Sequence, residues 1–200
     1  MNIVVFVSGR GSNFEAILSS ELLKGKINVK AVVSDRLQCA AFEIAKRNSI
    51  STYTVGDKEG CISYSSLADI LISLDVDLIV LAGFLKLIPG SIVVRYKNKI
   101  INIHPALLPS FGGKGLYGMN VHKAVFESSA KVSGPTVHFV DETYDTGRII
   151  AQRCVDISDV VSPEEIAERV LEAEHKLLPF VISKFAEGKI KIVNNRVIVN

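Results

Sequence analysis

The sequence predicts an α/β fold: a mostly parallel, doubly wound sheet flanked by helices, with an antiparallel extension toward the C-terminus. Three observations carry that reading. Residues 2–7, NIVVFV, are apolar without alternation, as in a strand buried on both faces. β-Branched runs and helical spacings then follow one another as βαβαβαβ up to residue 82. After residue 103 the rhythm changes to a Gly-rich loop, one helix and two strands in succession.

Each element has its own reason. Residues 13–24 carry helical spacing through Phe14, Ile17 and Leu18. Residues 29–33 are the next strand, 39–48 the next helix and 51–55 a short strand. Over 63–74, Leu67, Ile70, Leu71 and Leu74 form one apolar stripe. Residues 78–82, LIVLA, and 100–103 read as buried strands. The loop FGGKGLYG, 111–118, precedes a helix near 121–128. Strands at 132–140 and 149–157 are joined by DETYDTGR, which predicts the antiparallel extension. Pro163 follows Ser162 as Pro follows a cap, and the helix it opens should run through Leu171 to Pro179 and beyond. The tail KIKIVNNRVIV places Asn-Asn between two apolar runs, a small hairpin.

Composition narrows the function. The chain has 200 residues, 48% of them hydrophobic, with no low-complexity segment or linker; one domain over 1–200 is expected. A net charge of +2 leaves no polyanion footprint, so nucleic acid is not the expected partner. The longest apolar runs fall short of a membrane span, and the N-terminus lacks a basic n-region, so neither a membrane nor a leader is expected. Cys39, Cys61 and Cys154 are far apart and form no CxxC pair. They are expected to be reduced packing residues in a cytoplasmic protein. No cluster has metal spacing.

Two constellations carry chemistry. The first strand leads into SGRGSN, 8–13, and then a helix. A helix start offers N–H groups and partial positive charge to a phosphate. Gly9 and Gly11 let backbone approach an anion, Ser12 adds a hydroxyl, and Asn13 is expected to cap the helix. The same letters also suit a plain capped βα turn. The pattern is neither GxGxxG nor a Walker motif, which argues against a dinucleotide. The second is NIHPALLP, 102–109. Ligands bind at the carboxyl ends of parallel strands. Alternation puts Asn102 and His104 on one side, where an amide N–H can hold an oxyanion and an imidazole can move a proton. Pro105 and Pro109 stiffen the chain beside them. In DETYDTG, 141–147, Asp145 is the candidate to favour a protonated His104. His138, inside a strand, reads as a structural histidine bonded to a neighbour, and His122, after the Gly-rich loop, as exposed. Of Glu174 and His175 on the last predicted helix, the carboxylate is the better acceptor for a substrate.

In order and spacing, MNIVVFVSGRGSN, LIVLAGFLKLIP, INIHPALLPSF, VSGPTVHFVDETYDTGRII and ERVLEAEHKLLPFVISKFAEGKIK resemble the folate-dependent formyltransferase family from end to end. SGRGSN and the EAEH helix narrow the resemblance to its phosphoribosylglycinamide branch. The resemblance implies a Rossmann-like sheet and transfer of a formyl group from 10-formyltetrahydrofolate, the co-substrate, to the amine of glycinamide ribonucleotide in de novo purine biosynthesis. It implies a phosphate-binding N-terminal half and a catalytic, folate-binding C-terminal half. It implies Asn102, His104 and Asp145 as the catalytic trio. It implies Gly11, Ser12, Asn13 and Glu174 as residues for glycinamide ribonucleotide. For the folate it implies Leu85, Lys86, Leu87, Ile88, Asn102, Asp141, Glu142, Thr143, Tyr144 and Asp145. No metal is implied. Methionyl-tRNA formyltransferases and formyltetrahydrofolate hydrolases carry further domains, for which 200 residues leave no room. A rival of another class is a non-catalytic nucleotide-binding module, which would need the phosphate loop but not the trio.

Overall fold

The computed structural model describes residues 1–200. Contacts divide the chain into two units, Met1–Ile101 and Asn102–Asn200. The boundary falls inside one strand.

In the first unit, β1 (Asn2–Val7) is the central strand. It pairs in parallel with β2 (Asn28–Ser34) on one side and β4 (Leu78–Leu81) on the other. β3 (Ser51–Thr54) extends the sheet beyond β2, also in parallel. Ile3 through Val7, which point alternately to the two faces of the sheet, are all wholly buried, so neither face of β1 meets solvent. This is the physical reason for the run without alternation. Phe6 meets Phe84 edge to face at 5.3 Å.

The helices α1 (Ser12–Ser19), α2 (Ala41–Arg47), α3 (Tyr64–Ser73) and α4 (Gly90–Arg95) follow their strands. Ser63 caps α3 by accepting the Ser66 N–H. Two expectations need correction. The helix expected over 13–24 stops at Ser19, and Glu21–Leu23 forms a separate 3₁₀ turn. Ser20 is extended there, with ψ 117°, which ends the α-helix. α4 was not foreseen; Pro89 stands as its N-cap in an apolar stretch with little periodicity.

β5 (Ile100–His104) carries the boundary between the units. In the second unit, α5 (Met119–Glu127) and α6 (Pro163–Ala186) enclose a core of Ala106, Val121, Val125, Ile157, Ile166 and Val170. β6 (Val132–Ser133) pairs antiparallel with β9 (Val155–Asp156), and β7 (Thr136–Phe139) with β8 (Ile149–Gln152). With β5 counted once, strands β1–β5, β7 and β8 make the expected mostly parallel sheet of seven. Ser162 caps α6 and Pro163 opens it. β10 (Ile190–Val193) and β11 (Arg196–Val199) form the foreseen hairpin. Asn194 and Asn195 turn it with φ of 47° and 65°, as its tight turn requires.

The strands expected at 132–140 and 149–157 are each broken in two. Gly134 and Pro135 interrupt the first. Gly134 has φ 141°, and a Cβ on it would lie 1.8 Å from the Arg153 carbonyl oxygen. The opposite break falls at Arg153 and Cys154, which leaves Cys154 exposed. The expectation of a packing role therefore fails for Cys154, while Cys39 is buried. No helix is long and apolar enough to cross a membrane.

Gly147 is a second point where only hydrogen fits. A Cβ there would stand 1.7 Å from the Phe139 carbonyl oxygen, where Phe139 N–H donates to Arg148. Gly147→Ala must force the β7–β8 connection apart, at a cost of about 1–3 kcal/mol. A thermal melt should show the midpoint fall by roughly 3–10 °C; an unchanged midpoint would contradict this packing.

Candidate active site

In the first unit, the end of β1 runs into the Gly-rich turn. Gly11 takes the N-cap position of α1 in the left-handed conformation, φ 84°. This corrects the expectation for Asn13: it lies inside the first turn, one residue past Ser12, and Gly11 caps in its place. Gly11 is also a packing requirement, since a Cβ there would meet the Ala41 Cβ at 2.7 Å. The Gly9 carbonyl accepts from Ala41 N–H at 3.3 Å. The turn is thus held against α2, and a helix start projects its first N–H groups outward.

Ser8 does more than the motif suggested. Its hydroxyl donates to Asp35 Oδ1 at 2.5 Å and accepts the Leu85 N–H at 2.9 Å. It thereby anchors the FLKL segment beside the turn. Leu85 is half-buried, Lys86 and Leu87 are exposed, and Ile88 is packed into the core.

In the second unit, β5 ends on Asn102 and His104, followed by the proline-framed loop. Thr136 on β7 staples that loop. Its hydroxyl donates to Ala106 O at 2.6 Å and accepts from Leu108 N–H at 3.0 Å and Gln152 Nε2 at 2.9 Å. Gln152 also donates to Leu108 O. The Leu108–Pro109 bond is cis.

The loop after β7 brings Asp145 to the two β5 side chains. Asp141 organises it, accepting from Thr143 N–H and from the Thr146 hydroxyl. Glu142, Thr143 and Tyr144 are exposed, whereas the Asp145 side chain is only 11% exposed. Asp145 Oδ2 lies 3.5 Å from His104 Nδ1, and Oδ1 lies 3.5 Å from His138 Nε2. Gly113 N–H donates to Oδ2 at 2.9 Å. His138 Nε2 is in turn 3.1 Å from Asn102 Nδ2. Asn102, His104 and Asp145 thus gather in one place, with His138 among them. The structural reading of His138 holds, but the neighbour it bonds is the candidate site itself.

Charges follow from this packing. Burial pushes the His104 pKa below its ordinary value, against the upward pull of Asp145 and the Phe111 carbonyl; His138 adds to the lowering. Burial pushes the Asp145 carboxyl up, but His138, the Gly113 N–H and His104 outweigh it, so its pKa lies below the usual carboxylate value. His104 Nε2 is 2.9 Å from Phe111 O. A carbonyl only accepts, so Nε2 carries the proton and Nδ1 faces Asp145. Phe111 and Asp145 both hold left-handed backbone, φ 55° and 57°. Such residues cost about 1–3 kcal/mol each and concentrate at functional sites.

Residues 1–182 match the formyl transferase family model. The chain belongs to the formyl transferase family. It is 47% identical over 195 residues to the chloroplastic phosphoribosylglycinamide formyltransferase of Arabidopsis thaliana, covering 94% of this chain and 66% of that one. It thus spans just under two thirds of the plant relative's length. It is 34% identical over 199 residues to the phosphoribosylglycinamide formyltransferase of Escherichia coli (strain K12), covering 98% of this chain and 92% of that one. The crystal structure of the same-named protein from Anaplasma phagocytophilum matches with a TM-score of 0.89 at 33% identity, over 100% of this chain and 94% of that one.

His122 was expected to be exposed; it is 6% exposed, on the face of α5 shared with Val125. Its Nδ1 has no hydrogen-bond partner. Burial, then the charge of His104, lowers its pKa to about 4. An i, i+3 relation to Val125 was the available signal, but α5 starts at Met119, two residues earlier than its apolar spacing suggested. Glu174 is buried on α6.

Two tests follow from this packing. Thr136→Val keeps the shape of the side chain but leaves the buried Leu108 N–H and the buried Ala106 carbonyl without that partner. Urea unfolding should show about 1–3 kcal/mol lost. For His122, the unfolded chain takes up a proton near pH 6.5 and the folded one only near pH 4. The unfolded state therefore binds more protons in that window, and stability falls as pH drops through it, by roughly 3 kcal/mol. Urea titrations from pH 7 to 4 should show this loss, and it should shrink in His122→Leu. Equal slopes for the two proteins would remove His122 as the cause.

Proposed function

We propose that this chain transfers the formyl group of 10-formyltetrahydrofolate to the amine of glycinamide ribonucleotide, giving formylglycinamide ribonucleotide in purine biosynthesis. Residues 1–200 act as a single formyltransferase domain; the family match covers the first unit and continues into the second as far as residue 182, which supports this. Its partners are these two small molecules, its working place the cytoplasm, and no metal takes part.

The observation that carries the reading is the convergence of Asn102, His104 and Asp145, with the carboxylate 3.5 Å from the imidazole. The substrate amine attacks the formyl carbon, and the carbonyl oxygen becomes an oxyanion. The Asn102 amide donates an N–H to it. Growing negative charge favours a second proton on His104, taken from solvent at Nδ1, and Asp145 balances the imidazolium. The bond from carbon to N10 of the folate then breaks as the oxyanion collapses to a carbonyl, N10 takes up the proton lost by the attacking amine, His104 returns its second proton to solvent, and the amide product leaves.

The remaining roles belong to the same proposal. Gly11, Ser12 and Asn13 hold the phosphate at the start of α1. Glu174 accepts from the ribose or glycyl end. Leu85, Lys86, Leu87 and Ile88 line the pterin site, and Asp141, Glu142, Thr143, Tyr144 and Asp145 form the loop facing the ring. Asn102 contacts the folate as well as the oxyanion.

The deciding assay mixes the protein with both substrates and follows the folate absorbance. No change with folded protein would favour a binding module over an enzyme. Asn102→Ala should lower turnover by about 10²–10³, the cost of losing one oxyanion donor, and His104→Ala by about 10²–10⁴, the scale of losing a group that takes up a proton in the reaction. Their circular dichroism should be unchanged. Near-normal turnover in either would sink the assignment.

A further inference from the structure

We infer that His138 is a positioning residue that sets the rotation of the Asn102 amide, so that Asn102 presents an N–H and not its oxygen to the reacting carbonyl. The inference rests on the formyl-transfer reading, but its first test does not.

His138 lies on β7 and is 2% exposed. Its Nδ1 is 2.8 Å from the Phe139 carbonyl oxygen. That oxygen can only accept, so Nδ1 carries a proton. In the neutral ring Nε2 then has a lone pair and no hydrogen. Nε2 is 3.1 Å from Asn102 Nδ2. A lone pair there accepts one of the two amide hydrogens and leaves the second for the substrate. Rotating the amide by half a turn would set Oδ1 against the same lone pair, with two acceptors facing each other. The Phe139 carbonyl thus fixes the tautomer, the tautomer fixes the amide, and the amide fixes the sign of the group offered to the oxyanion.

Asp145 and His104 are the charged and titratable neighbours. Asp145 competes for the ring, since a proton on Nε2 would point toward its Oδ1, 3.5 Å away. The 3.1 Å contact to Asn102 lies within normal hydrogen-bond range and the carboxylate contact does not. The bare nitrogen is therefore the better satisfied state.

Nitrogen-15 spectra of the wild-type protein at neutral pH read the tautomer directly. A neutral ring protonated on Nδ1 is expected. A proton on Nε2 overturns the inference, whether or not the protein turns over its substrates. Wild-type turnover tests the formyl-transfer reading separately. Given turnover, His138→Leu should lower kcat roughly a hundredfold, the usual scale for a misplaced catalytic group, with KM little changed. His138→Gln keeps an oxygen acceptor near the Nε2 position and should restore most of the rate. In an Asn102→Ala background, His138→Leu should cost little more. Equal losses with and without Asn102, or no rescue by Gln, would mean that His138 does not act through the amide.

Discussion

The arrangement around NIHPALLP depends on one buried carboxylate. Asp145 is mostly out of water, where a lone negative charge is costly. It is tolerated because the Gly113 N–H donates to it, and the two imidazoles that face it each offer a nitrogen whose protonation it would favour. Those three partners come from the Gly-rich loop, the end of β5 and β7. The charge therefore holds three segments in register. Gly112 shows how close the fit is: a Cβ there would lie 2.5 Å from Leu108 Cδ2 and 3.2 Å from Asp145 Cβ. The glycines after LLP, which could pass for a flexible loop, let backbone pack directly onto the carboxylate.

Much of the fold was legible because its cause is local. NIVVFV is buried on both faces, so its side chains have no reason to alternate. Ser162-Pro163 and Asn194-Asn195 state their turns in their own chemistry. The breaks at Gly134 and Cys154 were not legible. Each half-strand is β-branched and apolar, and the carbonyl that excludes a side chain from Gly134 belongs to Arg153, in the opposite break some twenty residues onward. The Asn13 cap failed for a related reason: Ser and Asn both suit a cap, but packing against Ala41 selects Gly11.

The candidate site was legible in its members and not in its bonds. Asn102 and His104 share a side of one strand, which alternation alone predicts. That Asp145 reaches them depends on the turn of Asp141 and on Gly147 passing under Phe139. Neither leaves a pattern in the letters. Thr136 and Gln152 look like ordinary strand residues, yet they hold the proline loop in place. His138 was half-read. A buried strand histidine does bond a neighbour, but which neighbour is a matter of strand pairing.

The same burial decides how much charge the cluster holds. Two imidazoles lie against one carboxylate, with His122 near enough to feel the charge of His104, and three full positive charges in so dry a place would be strongly unfavourable. Burial keeps His122 neutral down to about pH 4 and lowers His104. Near neutral pH, Asp145 then remains as the fixed negative charge. An oxyanion formed beside it would place two negative charges close together, unless a proton arrives. In the proposed reaction His104 would take it: its pKa is pulled down by burial and up by Asp145, so one added negative charge would shift the balance. A histidine already charged before the reaction would have less to give as the oxyanion forms. The lowered His104 pKa is thus compatible with the proposed chemistry, in which protonation would follow the charge that calls for it.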